Sequence, residues 1–73
     1  MIAIDGKNLR IQIFEKILRV SDEVIIVAFK KQRVIIEGKQ MYITYLEKNE
    51  INIMGEFLNI KFLESGEDYW KNL

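Results

Sequence analysis

Residues 35–46, IIEGKQMYITYL, and residues 52–63, NIMGEFLNIKFL, carry one pattern written twice. Aligned, each gives an apolar residue, a variable one, Gly, two spacers, then an apolar residue, Ile and an aromatic at alternating places, with Leu directly after the aromatic. Period-2 alternation of this kind is the mark of a strand with one buried face. It extends outward from both copies. Val34 and Ile36 precede Gly38, while Met41, Ile43 and Tyr45 follow it. Ile51 and Ile53 precede Gly55, while Leu58, Ile60 and Phe62 follow it. Ile2, Ile4, Leu9, Ile11 and Ile13 repeat the arrangement around Gly6. The apolar set is rich in Ile, Val, Phe and Tyr, types that favour a pleated surface over a helix.

The glycines then read as hairpin turns. A two-residue turn with φ > 0 at its centre suits Asp5-Gly6, and the same rule places turns at Gly38 and Gly55. It pairs Ile36 with Lys39 and Val34 with Met41. A degenerate fourth copy, residues 19–29 (RVSDEVIIVAF), puts Asp22 where the glycine stands. Its run 24–29 is apolar on both faces, as in a strand buried on both sides. Lys48-Asn49 supplies a further turn, and the links at Glu15-Lys16 and around Lys30 are polar. The expected fold is all-β: an antiparallel meander of about eight short strands built from hairpin repeats, sandwich-like or a partly open barrel. A short β-solenoid with a repeat of about 16–17 residues remains the alternative. Residues 1–63 form a single β domain and 64–73 a C-terminal tail.

Composition limits the function. A chain of 73 residues sits near the lower size for a self-sufficient core, although 49% of it is hydrophobic. Small domains close that gap with disulfides, metals or oligomerisation. With neither Cys nor His in the chain, oligomerisation is the remedy left open. The 11 basic and 11 acidic residues cancel and are dispersed, which speaks against a nucleic-acid partner, since phosphate binding needs clustered cations. The basic run Lys30 to Arg33 is short and reads as a solvated turn. No apolar run approaches the ~20 residues of a spanning helix, and the N-terminus lacks a signal-peptide pattern; the chain reads as cytosolic where it is made.

No catalytic constellation emerges. Triads need His or Cys. Ser21 beside Asp22 reads as a turn residue, Asp22-Glu23 as a turn, and Glu67-Asp68 as a solvated tail. The segment ESGED, from Glu64, is too short for a calcium loop. No helix and no Lys-Ser/Thr pair follows the glycines, as a phosphate loop would require. The expectation is a chain that is not an enzyme and takes no cofactor or metal. What remains is surplus apolar surface, with Phe14, Phe29, Tyr42 and Phe57 as candidate contacts to a partner or a second copy. Tyr69 and Trp70 in the tail either pack back on the domain or anchor a partner.

These segments resemble the YabP/YqfC family of sporulation proteins from endospore-forming Firmicutes. The resemblance spans Ile2 to Leu63. It is carried by Ser21-Asp22-Glu23 after the second apolar run, the Glu37-Gly38-Lys39 segment, the acidic link Glu47 to Glu50, and Gly55-Glu56 with its apolar strand. Residues 14–19, FEKILR, depart from the polar, basic segment often found there. The resemblance implies a small β-sandwich-like protein made in the mother cell, cytoplasmic or at the forespore surface, that acts in spore envelope or coat assembly. It implies no catalytic activity and transfers no site residues. A self-associating scaffold is the leading expectation. A module that recruits a membrane-bound or coat partner, peripheral to the spore envelope, is the alternative.

Overall fold

A computed structural model describes residues 2–64. Six strands make up the described residues: β1 (Ile2–Asp5), β2 (Asn8–Gln12), β3 (Lys16–Val20), β4 (Val24–Ala28), β5 (Gln32–Glu47) and β6 (Glu50–Glu64). They pair antiparallel in one sheet of order β1-β2-β6-β5-β4-β3, not closed into a barrel. The fold is therefore all-β and antiparallel. Its six strands are fewer than the eight expected, because Gly38 and Gly55, unlike Gly6, do not make hairpins. Gly38 lies inside β5 and Gly55 inside β6. Ile36 faces Ile60 and Val34 faces Phe62, instead of Lys39 and Met41. One long hairpin replaces two short ones, and its turn is Lys48-Asn49.

The long strands change neighbours along their length. β4 pairs with residues 33–37 of β5, and β2 with residues 50–54 of β6. Leu9 and Ile11 of β2, with Ile51 and Ile53, nevertheless share one core with Ile25 and Val27 of β4 and with Val34 and Ile36. β2 and β4 are not sheet neighbours, so the sheet must fold across the middle of β5–β6 and pack one half on the other. Phe14 and Met41 complete this core. Each fully buried aliphatic side chain contributes about 1.5–3 kcal/mol. On the opposite face the cross-strand partners Ile26 and Ile35 are equally buried, as the two-sided apolar run 24–29 requires.

The fold line is where the glycines act. Register shifts interrupt β5–β6 between Glu37 and Gly38 and between Lys39 and Tyr42, where Gln40 adopts φ 52°. A Cβ on Gly38 would collide with the Glu56 carbonyl oxygen and lie 2.9 Å from the Met41 sulfur. One on Gly55, whose φ is +150°, would lie 2.7 Å from the Met41 Cα. Two bulges thus face each other with no room for a side chain, and bulges bend strands. Their amide groups are not left unpaired. Gly38 N donates to the Glu23 carbonyl at 3.0 Å, Met41 N to that of Asp22 at 2.9 Å, and Gly55 N to that of Lys7 at 3.1 Å.

Those acceptors come from the two short turns. Gly6 and Lys7 join β1 to β2, with Asp5 paired to Asn8. Residues 21–23 join β3 to β4, and Asp22 lies there. Ser21 Oγ accepts from Val24 N at 2.9 Å and Glu23 N at 3.3 Å, holding this turn by the local bonding common to Ser.

The passage from β2 to β3 takes three residues and crosses from one layer to the other. Ile13 N donates to the Asn49 carbonyl at 2.7 Å, and Glu15 N to that of Ala28 at 2.8 Å. Phe14 between them is buried. The crossing forces Ile13 to φ 64°, a left-handed conformation that is unusual for a β-branched residue. It removes Ile13 from the inner row that alternation assigned it, leaving it 75% exposed.

Substitutions should grade these backbone demands. Gly6, at φ +62° with open space around it, should lose about 1 kcal/mol on Gly6→Ala. Gly38→Ala must displace backbone, and a loss of about 3 kcal/mol or more is expected. Urea midpoints check both; equal costs would mean the strands do not meet so closely at Gly38. Ile13→Asn should stabilise by about 1 kcal/mol, since it relieves the left-handed strain and removes little packing. For a domain of this size that raises the melting temperature by about 4–8 °C, readable by circular dichroism.

Candidate functional site

Polar chemistry does not converge at any one place. Among the described residues no charged or polar side chain is buried, and no three His, Cys, Asp or Glu side chains group together. Desolvation and pairing of this kind are what tune catalytic groups. Asp22 and Glu23 use their backbone carbonyls to receive the β5 bulge, and their side chains are exposed. Thr44 Oγ1 donates to the Asn52 carbonyl at 3.4 Å. The Tyr45 phenol has its pKa raised above the ordinary value by partial desolvation, then by the Glu47 and Glu50 carboxylates. It stays protonated at neutral pH.

Lys30 and Lys31 form the tip between β4 and β5 and are exposed. Phe29 N donates to the Gln32 carbonyl at 2.8 Å across this tip, and Arg33 Nη1 reaches the Phe29 and Gln32 carbonyls at 3.4 Å. The basic run is a structured turn. A shallow cleft of about 720 Å³ lies against it, bordered by Ile13, Phe29, Gln32 and Glu64. It is open to solvent. The cross-strand pair Lys61–Glu37, at 3.5 Å with both side chains part-exposed, adds little to stability.

The apolar surface is the distinctive feature, and the structure redistributes it. Phe14, a candidate contact in the sequence, is a core residue 6% exposed and cannot meet a partner. Phe57 is half-buried and packs on the core opposite Gly38; it too is committed to the fold. Phe29 packs against the core and borders an apolar cleft of about 330 Å³ with Ile2, Val34 and Phe62. Tyr42 is exposed at 57%, with its hydroxyl 3.9 Å from the Met54 sulfur. Tyr42 and Tyr45 face Met54 and Asn52 of β6, so they stand side by side on the outer face. Tyr69 and Trp70 lie outside the described residues.

Other exposed apolar residues were assigned to the core by alternation. Ile4, Leu58 and Phe62 are 53%, 59% and 56% exposed; Val20 and Leu46, which alternation did not place in the core, are similarly exposed. Phe62 is on the same side as Val34, and Ile4 on the same side as Leu9. Ile4 and Phe62 point inward, yet lie beyond the overlap of two narrow layers, while Leu58 is the extra residue of β6 at the register shift beside Phe57. Nothing in the alternation itself separates an inward residue that is covered from one that is not.

No helix among the described residues is long and apolar enough to cross a membrane. Comparison with protein-family models, with curated proteins and with solved structures finds no match to this chain.

Proposed function

We propose that this chain is a non-enzymatic structural module of endospore formation, one that associates with itself through strand edges or its uncovered apolar residues. The observation that carries this reading is the surplus of large apolar side chains, Ile4, Val20, Leu46, Leu58 and Phe62, which the fold leaves half exposed. Apolar surface beyond what the core uses is a mark of association. An open antiparallel sheet adds a second route, since unpaired backbone groups at its edges accept another strand. The small domain size works in the same direction, because burial between copies supplies what 73 residues cannot bury alone. The link to spore envelope or coat assembly rests on the resemblance of residues 2–63 to the YabP/YqfC proteins, in the mother-cell cytoplasm or at the forespore surface.

A second reading is favoured by one specific feature. Tyr42 and Tyr45 form an exposed aromatic pair beside Met54 on the outer face. Aromatic residues of this kind anchor protein interfaces, which suits a module that recruits a coat or membrane-bound partner without self-assembly.

Sedimentation across a wide dilution series separates the two. Self-association requires an apparent mass that climbs with concentration to at least twice 8.7 kDa. A chain that stays monomeric throughout overturns it and leaves the aromatic pair as the place to look for a partner.

A further inference from the structure

We propose that the outer face of β4 and β5 at Ile26 and Ile35 is a docking site for the chain's own residues 65–73, with Trp70 as the anchor. The proposal goes beyond the self-association reading and does not depend on it.

Two isoleucines carry it. Ile26 and Ile35 are cross-strand partners, 0% and 1% exposed, yet neither belongs to the core. Their neighbours along each strand, Ile25, Val27, Val34 and Ile36, point inward to that core, so these two point out. Side chains on a strand stand roughly perpendicular to the sheet. Arg19 across from Ile26, and Lys61 across from Ile35, therefore flank the pair and leave its tips open. Closing the tips to solvent takes a group that lies over the sheet. No strand among the described residues is left for this. β3 to β6 form the layer itself at this point, and β1 and β2 lie on its inner side. The burial is reached within a single chain, so the cover belongs to that chain. Met1 adjoins β1 of the other layer, whereas residues 65–73 continue from β6 of this one.

Reach and chemistry agree with this occupant. Glu64 pairs with Gln32, and Ile35 lies three residues further along β5, about 10 Å away. Ser65 and Gly66 are turn formers. Residues 67–70, when extended, reach back about 13 Å, past the level of Ile35. The face they meet is an apolar strip of Val24, Ile26, Ala28 and Ile35. Arg19, Arg33 and Lys61 rim it, and Glu37 on the same face is held by Lys61 at 3.5 Å. The segment brings an acidic pair, Glu67-Asp68, and then an aromatic pair, Tyr69-Trp70. Surface charge pairs add little, so the aromatic rings supply most of the attraction. A tryptophan or tyrosine buries about 150–250 Å² and keeps its polar tip in water. A second copy or a different protein would leave the strip open in the isolated chain.

Trp70 is the chain's single tryptophan, so its fluorescence reads the docking in the intact chain. Its emission should be blue-shifted from that of the urea-unfolded chain and shielded from acrylamide. The chain has no cysteine, so one can be placed to carry a nitroxide, which quenches indole fluorescence at short range. Attached at Lys61→Cys, on this face, the nitroxide should remove most of the Trp70 emission. Attached at Arg10→Cys, on the outer face of the other layer, it should remove little. Urea unfolding followed by circular dichroism gives a second readout, in which Trp70→Ser lowers the midpoint. An unshifted emission, equal quenching from the two positions, or an unchanged midpoint in Trp70→Ser overturns the docking. Quenching from position 61 that fades on dilution assigns the cover to a second copy's tail and overturns it as well.

Discussion

The fold depends on two strands meeting where neither can carry a side chain. At Gly38 the Glu56 carbonyl oxygen occupies the space of a Cβ, and at Gly55 the Met41 backbone does. Because β5 and β6 touch so closely there, both can bulge at the same level, and the hairpin folds instead of continuing as a flat ribbon. Everything else follows from that line. It brings Leu9 and Ile11 over Ile25 and Val27, residues from strands that never pair. Without it the chain would be a twisted sheet with one apolar face open to water.

A bend in a ladder exposes amide groups, and buried amides must find acceptors. The two short turns provide them. The carbonyls of Asp22 and Glu23 serve the β5 bulge, and that of Lys7 serves the β6 bulge. Turn and bend are therefore coupled: β1–β2 and β3–β4 each hold one long strand in its bent shape by hydrogen bonds, as well as covering it by packing. Such mutual dependence of local and non-local bonds is how a domain this small folds to one state.

The same geometry explains the leftover apolar surface. Two layers a few strands wide overlap only at their centres, where Ile11, Ile25, Ile36 and Ile53 are fully enclosed. Toward the rims the alternation continues but the covering layer does not. Phe62 and Ile4 point the right way and remain half exposed. Phe14 and Phe57 show the converse. Their positions in the sequence suggested surface, yet a layer-crossing and a missing Cβ at Gly38 give each a seat in the core.

The sequence by itself determined the class of structure and most of the core, because strand periodicity is a local property: which residues alternate decides which share a face. Val34, Ile36, Met41, Ile51, Ile53, Leu9 and Ile11 were all legible in this way, as were the turns at Lys48-Asn49 and Asp22 and the two-sided burial of the run at Ile25 to Ala28. Only the tertiary structure decided what the repeated glycines do. A glycine between two alternating runs is compatible with a hairpin turn and with a bulge inside one long strand. The choice depends on which distant segment approaches, here β6 against β5 and the turns at Lys7 and Asp22 against both. The candidate association surface belongs to the same category. Exposure of Ile4 and Phe62 is set by how far one layer extends over the other, a distance that no local pattern encodes.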